Sequence, residues 1–148
     1  MYKILLLLLI SSFCFAGPVD DFMAASKKVI ERGYPSWQVE VYKKYIDKPE
    51  KLTVKMAVIT SYNGQEACGK IDAHNDRCTE KTAASNLIPQ YRYIWTKYGL
   101  RRVLDTGAKS NDKKAKGMGA NLWIDYWYPN AKNPVQGWNK TPVVILNP

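Results

Sequence analysis

Residues 52–61 read LTVKMAVITS. Leu52, Val54, Met56, Val58 and Thr60 alternate with Thr53, Lys55, Ala57, Ile59 and Ser61, the period-two signature of a strand. Toward the C-terminus, a segment rich in Gly, Asn, Asp and Cys runs from Asn63 to Cys78, and residues 79–86 (TEKTAASN) fit a helical turn. Pro89 starts a run from Tyr91 to Thr96, which Lys97-Tyr98-Gly99 turns into Leu100 to Asp105. Residues 106–120 (TGAKSNDKKAKGMGA) are rich in Gly and Lys and read as a long exposed loop. Asn121 to Tyr128 is an aromatic strand, and Thr141 to Leu146 is another. About five or six short strands with turn signals between them predict a mainly β fold, a small closed barrel spanning residues 52–148.

Toward the N-terminus the period changes. Residues 18–33 fit a short helix: Asp20 or Asp21 can cap its start, Phe22, Ser26, Val29 and Ile30 fall near one face, and Gly33 ends it. Residues 36–46 (SWQVEVYKKYI) suit a helix or a strand. Residues 17–51 are therefore expected as a helical extension packed on the outside of the barrel. Residues 1–16 have the form of a secretory signal. Lys3 gives a positive start, Ile4 to Ile10 are apolar, and Cys14 and Ala16 make a small-x-small cleavage pattern before Gly17. That run is shorter than the roughly 20 residues of a membrane span, so no transmembrane segment is expected. A lipid-anchor role for Cys14 is disfavoured by the bulky Phe13 before it.

Loss of the signal leaves residues 17–148 with 21 basic against 13 acidic residues, a formal charge of +8. Export to the periplasm or cell exterior argues against nucleic acid as the partner. Wall polymers and lipid headgroups are the polyanions there, although a basic surface also simply aids solubility. Cys68 and Cys78 would remain, an even count that reads as one disulfide worth roughly 2–3 kcal/mol. A metal reading through His74, in C-x5-H-x3-C, lacks a fourth ligand, so no metal and no cofactor is expected.

The stretch 122–129, LWIDYWYP, carries the clearest chemistry. As a strand it places Trp123, Asp125 and Trp127 on one face and Leu122, Ile124 and Tyr126 on the other. A carboxyl between two indoles is costly to ionise, which suits a general acid, and the rings offer flat surface for a sugar. The same spacing also fits a strand whose wet face merely carries Asp125. A second carboxylate, Asp105, ends the run RRVLD before Thr106-Gly107, where a strand turns. Asp-Thr-Gly occurs in aspartic proteases, which need two copies; this chain has one and lacks the apolar flanks.

Together these parts resemble the 3D-domain family, named for three aspartates, and the MltA-type lytic transglycosylases. The matching pieces are Ala83-Ala84, Ile88-Pro89, Tyr98-Gly99, Asp105-Thr106-Gly107 and Ile124-Asp125-Tyr126, with VKMAVITSYN as the opening strand and Tyr62 at its aromatic end. The resemblance covers residues 54–128. It implies a six-stranded double-psi β-barrel that cleaves the MurNAc–GlcNAc bond of peptidoglycan glycan strands. Asp125 takes the place of the catalytic acid and Asp105 that of its neighbour in the cleft. Tyr62, Trp123, Trp127 and Asn86 are the expected substrate contacts of a monomeric enzyme. Two departures stand out. Ala84-Ser85-Asn86 replaces the family's first aspartate, and Asp105 and Asp125 lie twenty positions apart, farther than usual, because of the basic stretch Lys109 to Lys116. Both departures also suit a non-catalytic wall-glycan-binding or inhibitory barrel, and an unrelated secreted interaction protein is the third reading.

Overall fold

The computed structural model describes residues 16–63, 78–129, 135 and 137–148. The expected signal segment, apart from Ala16, lies outside the described residues. So do Cys68 and His74, and with Cys68 the expected disulfide to Cys78.

Two helices open the described chain, α1 (Pro18–Arg32) and α2 (Ser36–Tyr45). Pro18 suits a first helical position, where no intrahelical N–H is needed. The Gly17 N–H is taken up by the Asp20 carboxylate at 3.2 Å. Gly33 ends α1 at φ 80, a left-handed conformation that glycine adopts without strain. The ambiguous stretch 36–46 is helical over α2 because its apolar residues find a helical partner. Val41, Tyr42 and Tyr45 pack with Phe22 of α1. The same cluster takes in Leu100, Val144 and Leu146 of the barrel, so the extension lies against the barrel exterior. Phe22 is fully buried and meets Trp95 edge-on at 5.9 Å. Burial of such a ring stabilises by about 1.5–3 kcal/mol.

A 3-10 turn at Pro49–Lys51 leads into six strands. They are β1 (Leu52–Asn63), β2 (Thr82–Ala84), β3 (Tyr93–Thr96), β4 (Gly99–Asp105), β5 (Leu122–Tyr128) and β6 (Asn139–Leu146). They close in the order β1-β5-β2-β4-β3-β6, a barrel with no free edge. β1 and β5 pair in parallel, as do β2 and β4, and the remaining pairs are antiparallel. This is the mainly β, six-stranded closed barrel anticipated above, with parallel and antiparallel pairs mixed. Its interior is filled by Ala57, Ile59, Ala83, Ile94, Val103, Ile124, Tyr126 and Val143 among others. The β1 alternation thus resolves with Ala57 and Ile59 inside and Val58 and Thr60 on the outer face.

Two local expectations change. Residues 82–84 form a strand rather than a helical turn, because β4 and β5 flank them and supply backbone partners on both sides. Within 106–120, expected as loop throughout, a helix α3 spans Asn111–Gly117. So short a helix is marginal by itself. It is held by Ala115 and Ala120, which pack on Val58 and Trp123.

Candidate functional site

Barrel closure brings two distant carboxylates to one place. Ala84 of β2 pairs with Asp125 of β5 on one side and, after a bulge, with Asp105 of β4 on the other. Thr60 of β1 pairs with Asp125 from the far side of β5. Residues in register on adjacent strands share a face, so Thr60, Asp125, Ala84 and Asp105 form a row across the barrel exterior. Asp105, Asp125, Tyr62, Ala84, Gly107 and Asn111 line one cleft of ≈ 200 Å³. That is below the roughly 300–1,000 Å³ of ordinary small-molecule pockets. It therefore suits a single linkage or ring of a larger ligand rather than a whole one.

The Asp125 carboxyl is tightly held on one oxygen. The Trp123 indole N–H donates to Oδ1 at 2.9 Å and to the Thr60 hydroxyl oxygen at 2.8 Å. Thr60 in turn donates its hydroxyl proton to Oδ1. The other oxygen, Oδ2, faces Gly107, where a Cβ would come within 3.8 Å of it. Burial raises the Asp125 pKa above the usual carboxylate value; the Trp123 hydrogen bond opposes this, and the nearby Asp105 charge adds to it. Because donors occupy Oδ1, the proton of the neutral acid belongs on Oδ2, toward the cleft. Asp105 accepts the Tyr62 hydroxyl on Oδ2 at 3.0 Å and the Thr106 backbone N–H on Oδ1 at 2.9 Å. Its backbone carbonyl receives the Ser85 N–H at 3.1 Å, which ties the turn to β2.

Asn86, expected to touch substrate, braces the wall of the cleft. Its Oδ1 accepts the Gly107 N–H at 3.0 Å, and its Nδ2 donates to the Ala108 carbonyl and to Asp112, each at 3.3 Å. Asp112 also accepts the Trp123 backbone N–H at 3.2 Å, so one carboxylate fastens α3 to both β5 and the β2–β3 loop.

The two indoles expected as sugar platforms are covered. Trp123 is 6% exposed beneath α3, and Trp127 is 4% exposed against Cys78 and Tyr62. A residue that the sequence reading passed over is far more open. Trp138 is 60% exposed and meets Trp123 edge-on at 5.1 Å. Thr60 and Asn111 were passed over as well. The β1 alternation placed Thr60 in one set with Val58 without saying which set faces out, and its partnership with Asp125 depends on the β1/β5 register. Among the described residues, no cluster of three His, Cys, Asp or Glu could hold a metal ion, and no helix is long and apolar enough to cross a membrane. Comparison with family models, curated proteins and solved structures returns no significant match.

Proposed function

We propose that this chain is an exported peptidoglycan lytic transglycosylase of the 3D-domain kind, with Asp125 as general acid and base. The observation that carries the reading is the state of Asp125. It is a carboxyl with a raised pKa, held through one oxygen by Trp123 and Thr60, in a cleft shared with Asp105. A glycoside hydrolase divides acid and nucleophile or base roles between two carboxyl groups. A lytic transglycosylase needs only one, since the muramyl 6-hydroxyl attacks the anomeric carbon of its own ring. Asp125 Oδ2 gives its proton to the glycosidic oxygen as the bond breaks, then takes the proton of the 6-hydroxyl as the 1,6-anhydro bond forms. Asp105 keeps the Asp125 proton in place through its charge. Trp138 offers the open aromatic face for a neighbouring sugar.

Incubation of the purified protein with peptidoglycan sacculi tests this. Release of 1,6-anhydro muropeptides, lost in Asp125→Asn, is expected. Binding of sacculi with no release would replace catalysis by a wall-glycan-binding role. That second reading is favoured by Asn86, an amide that braces backbone where the family has an acid.

A further inference from the structure

A second groove, of ≈ 270 Å³, lies on the barrel exterior where β3, β4 and the end of α2 meet. Lys44, Arg92 and Arg102 line it together with Tyr45, Tyr91 and Tyr93, and no Asp or Glu side chain does. Structural arginines are commonly held by carboxylates; these two are held by neutral groups. Arg102 donates its Nε–H to the Tyr91 carbonyl at 3.0 Å, and its guanidinium lies against the rings of Tyr91 and Tyr93, at 5.2 and 5.1 Å. Arg92 donates to Asn147 Oδ1 at 2.8 Å, and Asn147 is itself anchored to Thr53 and to the Lys51 carbonyl. Both forks are thus oriented before any ligand arrives, by partners that are all neutral among the described residues. A fixed planar fork is the geometry that grips an oxyanion through two parallel hydrogen bonds.

The backbone adds a second observation. Tyr91 has φ 67, a left-handed conformation that a non-glycine residue rarely adopts, and the residue is 52% exposed. Its N–H is fixed by the Val103 carbonyl at 2.7 Å and its C=O by Arg102. The strained turn therefore presents an aromatic face beside the arginines.

We infer that this groove is a binding site for an oxyanion, phosphate or carboxylate, carried on a polymer or sugar whose ring packs against the tyrosines. The inference stands apart from the glycan-cleavage reading, since none of its residues lines the Asp125 cleft. The two sites are nonetheless joined: Gln90, on the groove wall, donates to the Ser85 and Asp105 carbonyls, each at 3.3 Å.

The test is calorimetric titration of the purified protein with a glycerol-phosphate oligomer and, separately, with an oligoglutamate, at physiological salt. Saturable binding of either supports the site and names the source of its oxyanion. Arg102→Gln should weaken that binding at least about tenfold, the loss expected for a charge-assisted hydrogen bond. Lys44→Gln, an exposed change that spares the fold, should weaken it by a smaller but clear factor. Lys55→Gln, on exposed β1 away from the groove, should change it by less than about twofold. No saturable binding of either oligomer, or equal losses in Lys44→Gln and Lys55→Gln, would overturn the inference.

Discussion

The indole N–H of Trp123 reaches Asp125 Oδ1 at 2.9 Å from two positions back on the same strand. That bond lowers the Asp125 pKa against the larger upward effect of burial. Trp123→Phe keeps most of the ring that α3 covers but removes the donor. Urea denaturation at neutral pH should show a loss of about 1.5–3 kcal/mol, the range for a hydrogen bond to a charged group. The loss should shrink in acid, where the neutral carboxyl depends less on the donor. An equal loss at both pH values would mean that packing alone accounts for it.

Asp125 itself should limit stability. Because burial raises its folded pKa, the folded state binds the proton more tightly than the unfolded chain. Stability is then greatest below the unfolded value of about 3.9 and falls as pH rises through the raised folded value. Asp125→Asn can still accept the indole N–H and cannot ionise. Its melting temperature should exceed the parent's at alkaline pH, and the gap should close in acid. A variant less stable than the parent across the whole range would contradict this.

Gly107 separates folding from chemistry. A Cβ there meets Asn111, Asn86 and Asp125 Oδ2 at 3.7–3.8 Å, ordinary contact distances, and the residue has no left-handed backbone to strain. Gly107→Ala should therefore change unfolding free energy by less than about 1 kcal/mol. The methyl group would sit on the oxygen assigned the transferable proton, so muropeptide release should fall at least about tenfold. Full activity in a stable Gly107→Ala protein would place the reacting oxygen elsewhere.

The strands that formed long periodic runs could be read from the chain, whereas only the family resemblance, and no periodicity, put Asp105 beside Asp125, which line one cleft. What could not be read was short or depended on neighbours. β2 is three residues, Thr82–Ala84, too few to show a period, and exists because β4 and β5 flank it. In 106–120 glycines and lysines hide the two alanines, Ala115 and Ala120, that fix α3 to Trp123. That hidden contact is why Trp123 and Asp125 share a face as expected while the indole is covered. Val39 and Val41 imitate a strand, whereas Val41, Tyr42 and Tyr45 keep helical spacing; only the partner surface of Phe22, Leu100 and Leu146 decides between them.

Asn86 provides the most discriminating substitution, because the family resemblance and the hydrogen bonds predict opposite results. Restoring an acid with Asn86→Asp would, by resemblance alone, complete the missing trio and raise activity. The Nδ2 group that it removes now donates to the Ala108 carbonyl and to Asp112. A carboxylate in its place would face two acceptors, one of them charged, while keeping the bond from the Gly107 N–H. Repulsion should raise the pKa of the new acid in the folded state, so the variant loses stability as pH rises and regains it in acid. At neutral pH the expected loss is about 1–3 kcal/mol, with muropeptide release falling as the Gly107 turn loosens. Higher activity at undiminished stability would show that Asn86 is a displaced catalytic position rather than a brace.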